Sequence, residues 1–124
     1  MAKEPSVYVI ATTPQGTARA LEEAHRLSTS ATRIVMLVPV PPHAAPISTT
    51  LLEKFTTVAR TVGVHADAYA CVCHQPHDIL PLFSVGEATL VVGGVRGRPS
   101  PTLEQELART LSNHGHRVVF VEVD

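Results

Sequence analysis

Thr89-Leu90-Val91-Val92-Gly93-Gly94-Val95-Arg96-Gly97-Arg98-Pro99-Ser100-Pro101-Thr102 (residues 89–102) decides the fold. A short apolar run, which reads as a buried strand, passes directly into a glycine-rich turn. Ser100 then offers an N-cap with Pro101 at the first helical position. Leu103, Leu107, Thr110 and Leu111 recur on one helical face, with Glu104 and Glu106 near the positive end and Gly115 as terminator. Arg117 to Val123 follows as a second apolar strand. A strand, a glycine-rich turn, a helix and a strand in this order form one unit of a parallel α/β sheet.

The same alternation extends toward the N-terminus. Val7 to Ala11 predicts a first strand, ended by Pro14 and Gly16. Ala20, Ala24, Leu27 and Ala31, with Leu21 beside them, predict a helix. Ile34 to Val38 predicts a second strand stopped by Pro39, Pro41 and Pro42, with a loop through Pro46. Leu51, Leu52, Phe55, Val58, Ala59 and Val62 predict a second helix, for which Gly63 is the C-terminal glycine. Val64 to Cys73 predicts a third strand, and Gln75-Pro76-His77-Asp78-Ile79-Leu80 a helix start that Pro81 interrupts. The expectation is a single α/β domain over residues 1–124, a doubly wound parallel sheet with right-handed crossovers and helices on both faces.

Composition agrees with that class. Hydrophobic residues make up 44% of the 124 residues and charged residues 17%, which is globular rather than disordered usage. Aromatics are only 4%, so the core must come from Val, Leu, Ile and Ala, as in parallel sheets covered by helices. The net charge of −1 and the lack of a basic run argue against nucleic acid as a partner. No apolar stretch approaches the ~20 residues that span a bilayer, and Met1 to Pro5 lacks the apolar part of a signal peptide, so a cytoplasmic protein with no membrane partner is expected.

The turn after the fourth strand carries the chemistry. Glycines let the backbone approach a phosphate and aim N–H groups inward. Arg96 and Arg98 can pair with phosphate oxygens, the following helix start adds free N–H groups, and Ser100 and Thr102 add hydroxyls. The alternative is a tight turn with solvated arginines, since a bare Gly-x-x-Gly is a weak signal.

Nearly the whole chain resembles the universal stress protein (UspA-like) family. The similarity runs through Val9-Ile10-Ala11-Thr12, Thr17 and Ala20-Leu21, Leu37-Val38-Pro39-Val40, residues 58–64 and Gln75 to Ile79, and it is most specific in Ala88 to Arg98. The resemblance implies a Rossmann-like sheet of five parallel strands in the order 3-2-1-4-5. It implies cytoplasmic homodimers, here through the edge strand Arg117 to Val123, and a stress-response role. It also implies ATP as the candidate cofactor, or another nucleotide or phosphate ligand, held on the phosphate side by Gly93, Gly94, Arg96, Gly97, Arg98, Ser100 and Thr102. Ala11, Thr12, Thr13, Pro39 and Val40 would line the base and ribose side. The ATP motif is degenerate: Gly94 and Gly97 match its first pair, but Leu107 stands where a later glycine is expected. Thr12 or Thr13 replaces the family's acidic residue at the end of strand one. A dimerisation or regulatory module without a nucleotide is the alternative.

Other constellations are thinner. Cys71 and Cys73, with His74 and His77, contain soft and imidazole ligands that a metal or redox module would need, whereas two cysteines on one strand face also read as small core residues. No nucleophile elbow, P-loop lysine, HExxH or acid pair is present, so catalysis is expected to reach slow nucleotide hydrolysis at most. Val118 to Val121 makes the last strand apolar, and an open apolar edge invites pairing.

Overall fold

A computed structural model describes residues 6–75, 78, 89–95, 97 and 100–123. The elements run β1 (Ser6–Ile10), α1 (Pro14–Leu27), β2 (Arg33–Val40), a 3-10 helix (Pro42–Ile47), α2 (Ser48–Val62), β3 (Asp67–Val72), β4 (Thr89–Gly94), α3 (Leu103–Asn113) and β5 (Arg117–Glu122). All four strand pairings are parallel, in the order β3-β2-β1-β4-β5. The expected sheet is therefore present. The helix expected from Pro76 lies outside the described residues.

Strand alternation divides the core in two. Val7, Val9, Met36, Val38 and Val91 face α1 and α2, which close over them with Ala20, Leu21, Ala24, Phe55 and Ala59. Tyr8, Ile10, Val35, Leu37, Leu90 and Val92 face the other way, toward Leu107, Ala108 and Leu111 of α3. The three inner strands are thus buried on both faces, which is why they read as continuous apolar runs. Among the described residues, no helix is long and apolar enough to cross a membrane.

Several boundaries differ from the sequence reading, each for a local reason. Pro39 lies within β2 rather than stopping it. The Leu37 carbonyl accepts from Ala11 of the β1 side, and the Val40 carbonyl accepts from Cys73 of the β3 side. Alternation turns Pro39 toward β1, where its missing N–H ends the β1–β2 ladder after the Ala11–Leu37 bond, while the β3 side of the strand stays paired through Val40. The prolines that follow form a 3-10 helix instead of a loop. α1 begins at Pro14 and stops at Leu27, which is 45% exposed, so Ala31 lies beyond the helix. β3 covers only Asp67–Val72 of the expected Val64–Cys73. α3 starts at Leu103 with Thr102, not Ser100, as its N-cap. Gly63 does close α2, in the left-handed conformation at φ 83°.

Candidate functional site

The chain runs from β1 outward to β2 and β3, then returns to β4 on the other side of β1. A crevice forms in parallel sheets where the winding reverses in this way, at the carboxyl ends of the two strands. Here its floor is set by a contact between two glycines. A Cβ on Gly93 would lie 2.0 Å from the Gly16 carbonyl oxygen, and one on Gly16 would lie 2.2 Å from the Gly93 oxygen. Only two residues without side chains allow the first turn of α1 to rest on the end of β4. Thr13 caps that turn by accepting the Gly16 N–H at 3.1 Å.

Above this contact, Thr13, Gln15, Gly16, Gly94, Val95, Glu104 and Val123 line a cavity of about 140 Å³. The side chain of Glu104 enters it from α3. Gly94 makes room for its stem, since a Cβ there would come within 2.7 Å of the glutamate Cβ and 2.8 Å of its Cγ. The Thr12 hydroxyl donates to Glu104 Oε1 at 2.9 Å. A carboxylate therefore does stand at the end of β1, where the sequence offers only threonine, but another element supplies it.

The glycine-rich turn is tied to the same helix start. Gln105 Oε1 accepts from the Gly97 N–H at 2.8 Å and from the Thr102 N–H at 2.8 Å. The Thr102 hydroxyl donates to the Val95 carbonyl at 2.7 Å and accepts from the Gln105 N–H at 3.3 Å. This is a capping box, with Thr102 and Gln105 satisfying each other's free backbone donors. Two groups expected to meet phosphate, the Gly97 N–H and the Thr102 hydroxyl, thus have internal partners. Glu104 and Glu106 in the same turn sit favourably against the helix dipole.

The remaining expected site residues divide clearly. Thr12, Thr13, Gly93, Gly94, Gly97 and Thr102 come together at the crevice or its rim, and Ser100 is exposed on the approach to α3. Ala11 and Val40 are buried in the core beneath α1 and α2, and Pro39 is half-buried in β2. Arg96 and Arg98 lie outside the described residues. Glu104, Gln105, Gln15 and Gly16 were not singled out as site residues from the sequence. Thr102-x-x-Gln105 has the spacing of a capping box and was the available signal for Gln105.

Cys71 and Cys73 are free thiols that pack against the α3 side of the sheet. Burial pushes both thiols above their ordinary range, helped by Cys73 beside Cys71 and by Asp78 near Cys73. His74 is exposed just past β3, and His77 lies outside the described residues. Among the described residues no group of three or more His, Cys, Asp or Glu side chains is placed to hold a metal ion.

No protein-family model and no curated protein sequence matches the chain. Its fold is that of solved universal stress proteins. A crystal structure of a universal stress protein in complex with cAMP superposes with a TM-score of 0.70 at 20% identity, covering 99% of this chain and 100% of that one. A universal stress protein from Archaeoglobus fulgidus gives 0.67 at 18% identity, covering 98% and 100%. A structure of the universal stress protein from Archaeoglobus fulgidus in complex with dAMP gives 0.65 at 17% identity, covering 98% and 100%.

Proposed function

We propose that this chain is a small regulatory binding protein of the universal stress type, and that it takes up a mononucleotide or related phosphate compound at the crevice between β1 and β4. The observation that carries the reading is the cavity at the switch point, floored by the Gly16–Gly93 contact and flanked by the Gly94–Gly97 turn and the start of α3. That placement is where a ligand enters a doubly wound sheet. Structures with the same fold hold cAMP and dAMP, which favours a nucleotide monophosphate over other anions. In this reading Gly93, Gly94, Arg96, Gly97, Arg98, Ser100 and Thr102 serve the phosphate side. Thr12 and Thr13 serve the base and ribose side, with Ala11, Pro39 and Val40 forming the wall behind them. Two copies pair through β5, the terminal strand of the sheet, where an added strand extends the ladder.

The test is mass spectrometry of small molecules released from freshly purified protein, followed by calorimetric titration with AMP, cAMP and ATP. A released nucleotide, or saturable heat with AMP or cAMP that weakens on Arg96→Ala, supports the reading. Absence of both at millimolar ligand overturns it.

A further inference from the structure

From the packing at the crevice we infer that the first turn of α3 is a built-in gate, with Glu104 and Gln105 occupying the place that a ligand's phosphate must take. The inference rests on the crevice being the nucleotide site and adds what controls entry to it.

Three observations converge. First, a donor of the glycine-rich turn is already used: Gln105 Oε1 holds the Gly97 N–H together with the N-cap Thr102 N–H of its own helix. An amide oxygen placed between two backbone donors does there what a phosphate oxygen would do. Second, the cavity beside this turn contains the Glu104 carboxylate, anchored to Thr12 at 2.9 Å from a different element. A negative charge fixed next to a phosphate subsite repels the phosphate, and the low-dielectric walls of a crevice strengthen that repulsion. Third, the space between the described residues is narrow: about 140 Å³, against the about 300–1,000 Å³ that small-molecule pockets occupy.

These three obstacles have one remedy. Glu104 and Gln105 are adjacent in the first turn of α3, so withdrawing that turn frees the Gly97 N–H, removes the carboxylate and enlarges the cavity together. Gly94 shows how closely the gate is fitted, because even a methyl group at that position would strike the glutamate stem. The three links that hold the gate shut are Thr12 to Glu104, Gly97 to Gln105, and Thr102 to Val95. Each is a side-chain hydrogen bond of modest net strength, so differential binding of a ligand to the open form can shift the balance.

The test compares AMP with adenosine on the wild type, Glu104→Gln, Gln105→Ala and a control, Glu106→Gln, which lies on the same helix outside the crevice. Gln is nearly isosteric with Glu and can still accept from Thr12, so it removes the charge and keeps the fold. Glu104→Ala is the second variant should Gln perturb it. Glu104→Gln should tighten AMP at least about tenfold and leave adenosine within about threefold, while Glu106→Gln changes neither. In the free protein, Gln105→Ala should speed amide exchange at Gly97, a readout that requires no ligand. Wild-type binding of AMP that Glu104→Gln leaves unchanged overturns the gate and leaves the nucleotide site standing. Parallel weakening of AMP and adenosine also overturns it, since Glu104 would then be a ligand anchor. Lack of AMP binding by every form overturns both the gate and the site.

Discussion

Gly93→Ala should destabilise the protein by about 3 kcal/mol, at the upper end of what overpacking costs. The new Cβ would stand 2.0 Å from the Gly16 carbonyl oxygen, and such atoms essentially never approach within 3.0 Å. The obstacle is backbone on both sides, so no rotamer change relieves it, and α1 must back away from β4 by at least about 1 Å. α1 presses Ala20, Leu21 and Ala24 into the sheet with no exposed surface. A gap of 0.5–1 Å forfeits about a quarter to a half of each contact's dispersion energy, and a buried Leu makes about 40–60 contacts of about 0.1–0.2 kcal/mol. Leu21 alone would then lose about 2 kcal/mol before relaxation, and Ala20 and Ala24 add to it. The comparator is Gly63→Ala, the same chemical change at φ 83° with nothing within 4 Å of the new Cβ. Its cost is backbone strain alone, about 1 kcal/mol. Urea unfolding of the three proteins measures the difference as a shift in midpoint at constant slope. If Gly93→Ala loses no more than Gly63→Ala, then α1 does not rest on β4 as described and the floor of the crevice is wrong.

Thr102→Ala should cost about 1–2 kcal/mol in the same assay, because it removes an N-cap and the bond to the Val95 carbonyl, and Thr102→Ser should recover most of it. Cys71 and Cys73 have raised thiol values in the fold, so the stability they contribute is fully present below the ordinary thiol range. It should be lost as pH rises through their raised values, and denaturation midpoints of a Cys71→Ala/Cys73→Ala variant between pH 7 and 10 should show a flatter alkaline decline. Val123 donates its N–H to Gly94 of β4, so alternation points the Val118 N–H away from β4, to the outer side of β5. Val118→Pro should therefore leave the β4–β5 ladder in place and convert the proposed dimer to a monomer in sedimentation velocity, whereas an unchanged dimer would move the interface away from β5.

The architecture was legible because its determinants are short-range. Buried parallel strands carry unbroken apolar runs, as in Leu90 to Val92, and α2 announces itself through the spacing of Phe55 and Ala59. Where reading failed, long-range geometry decided. Pro39 is a breaker by its chemistry, yet β2 runs through it to Val40 because the β3 side of the strand stays paired. Ala31 fits a helical stripe, but the chain has already left the helix at Leu27. Ser100-Pro101 has the form of a helix start, but Thr102 with Gln105 forms a reciprocal pair that Ser100 lacks. The candidate site followed the same pattern. The glycine-rich turn was visible as a motif, and Thr12 and Thr13 as the end of a strand. Glu104, in contrast, looked like an ordinary charge at a helix start, because nothing local says that it reaches Thr12, 92 positions away in sequence. The pairing of Gly16 with Gly93 is likewise a meeting of two elements that only the folded chain brings together.

Titration of isotopically labelled protein with AMP, followed residue by residue through backbone amide shifts, tests the central claim most directly. The account predicts saturable shifts concentrated at Thr12, Thr13, Gly94, Val95, Gly97, Glu104 and Gln105, with the Gly97 amide moving most as Gln105 gives it up. Shifts confined to a surface away from the crevice, such as the outer face of α2 around Thr56 and Arg60, or a spectrum unmoved at millimolar AMP in both the wild type and Glu104→Gln, would contradict it.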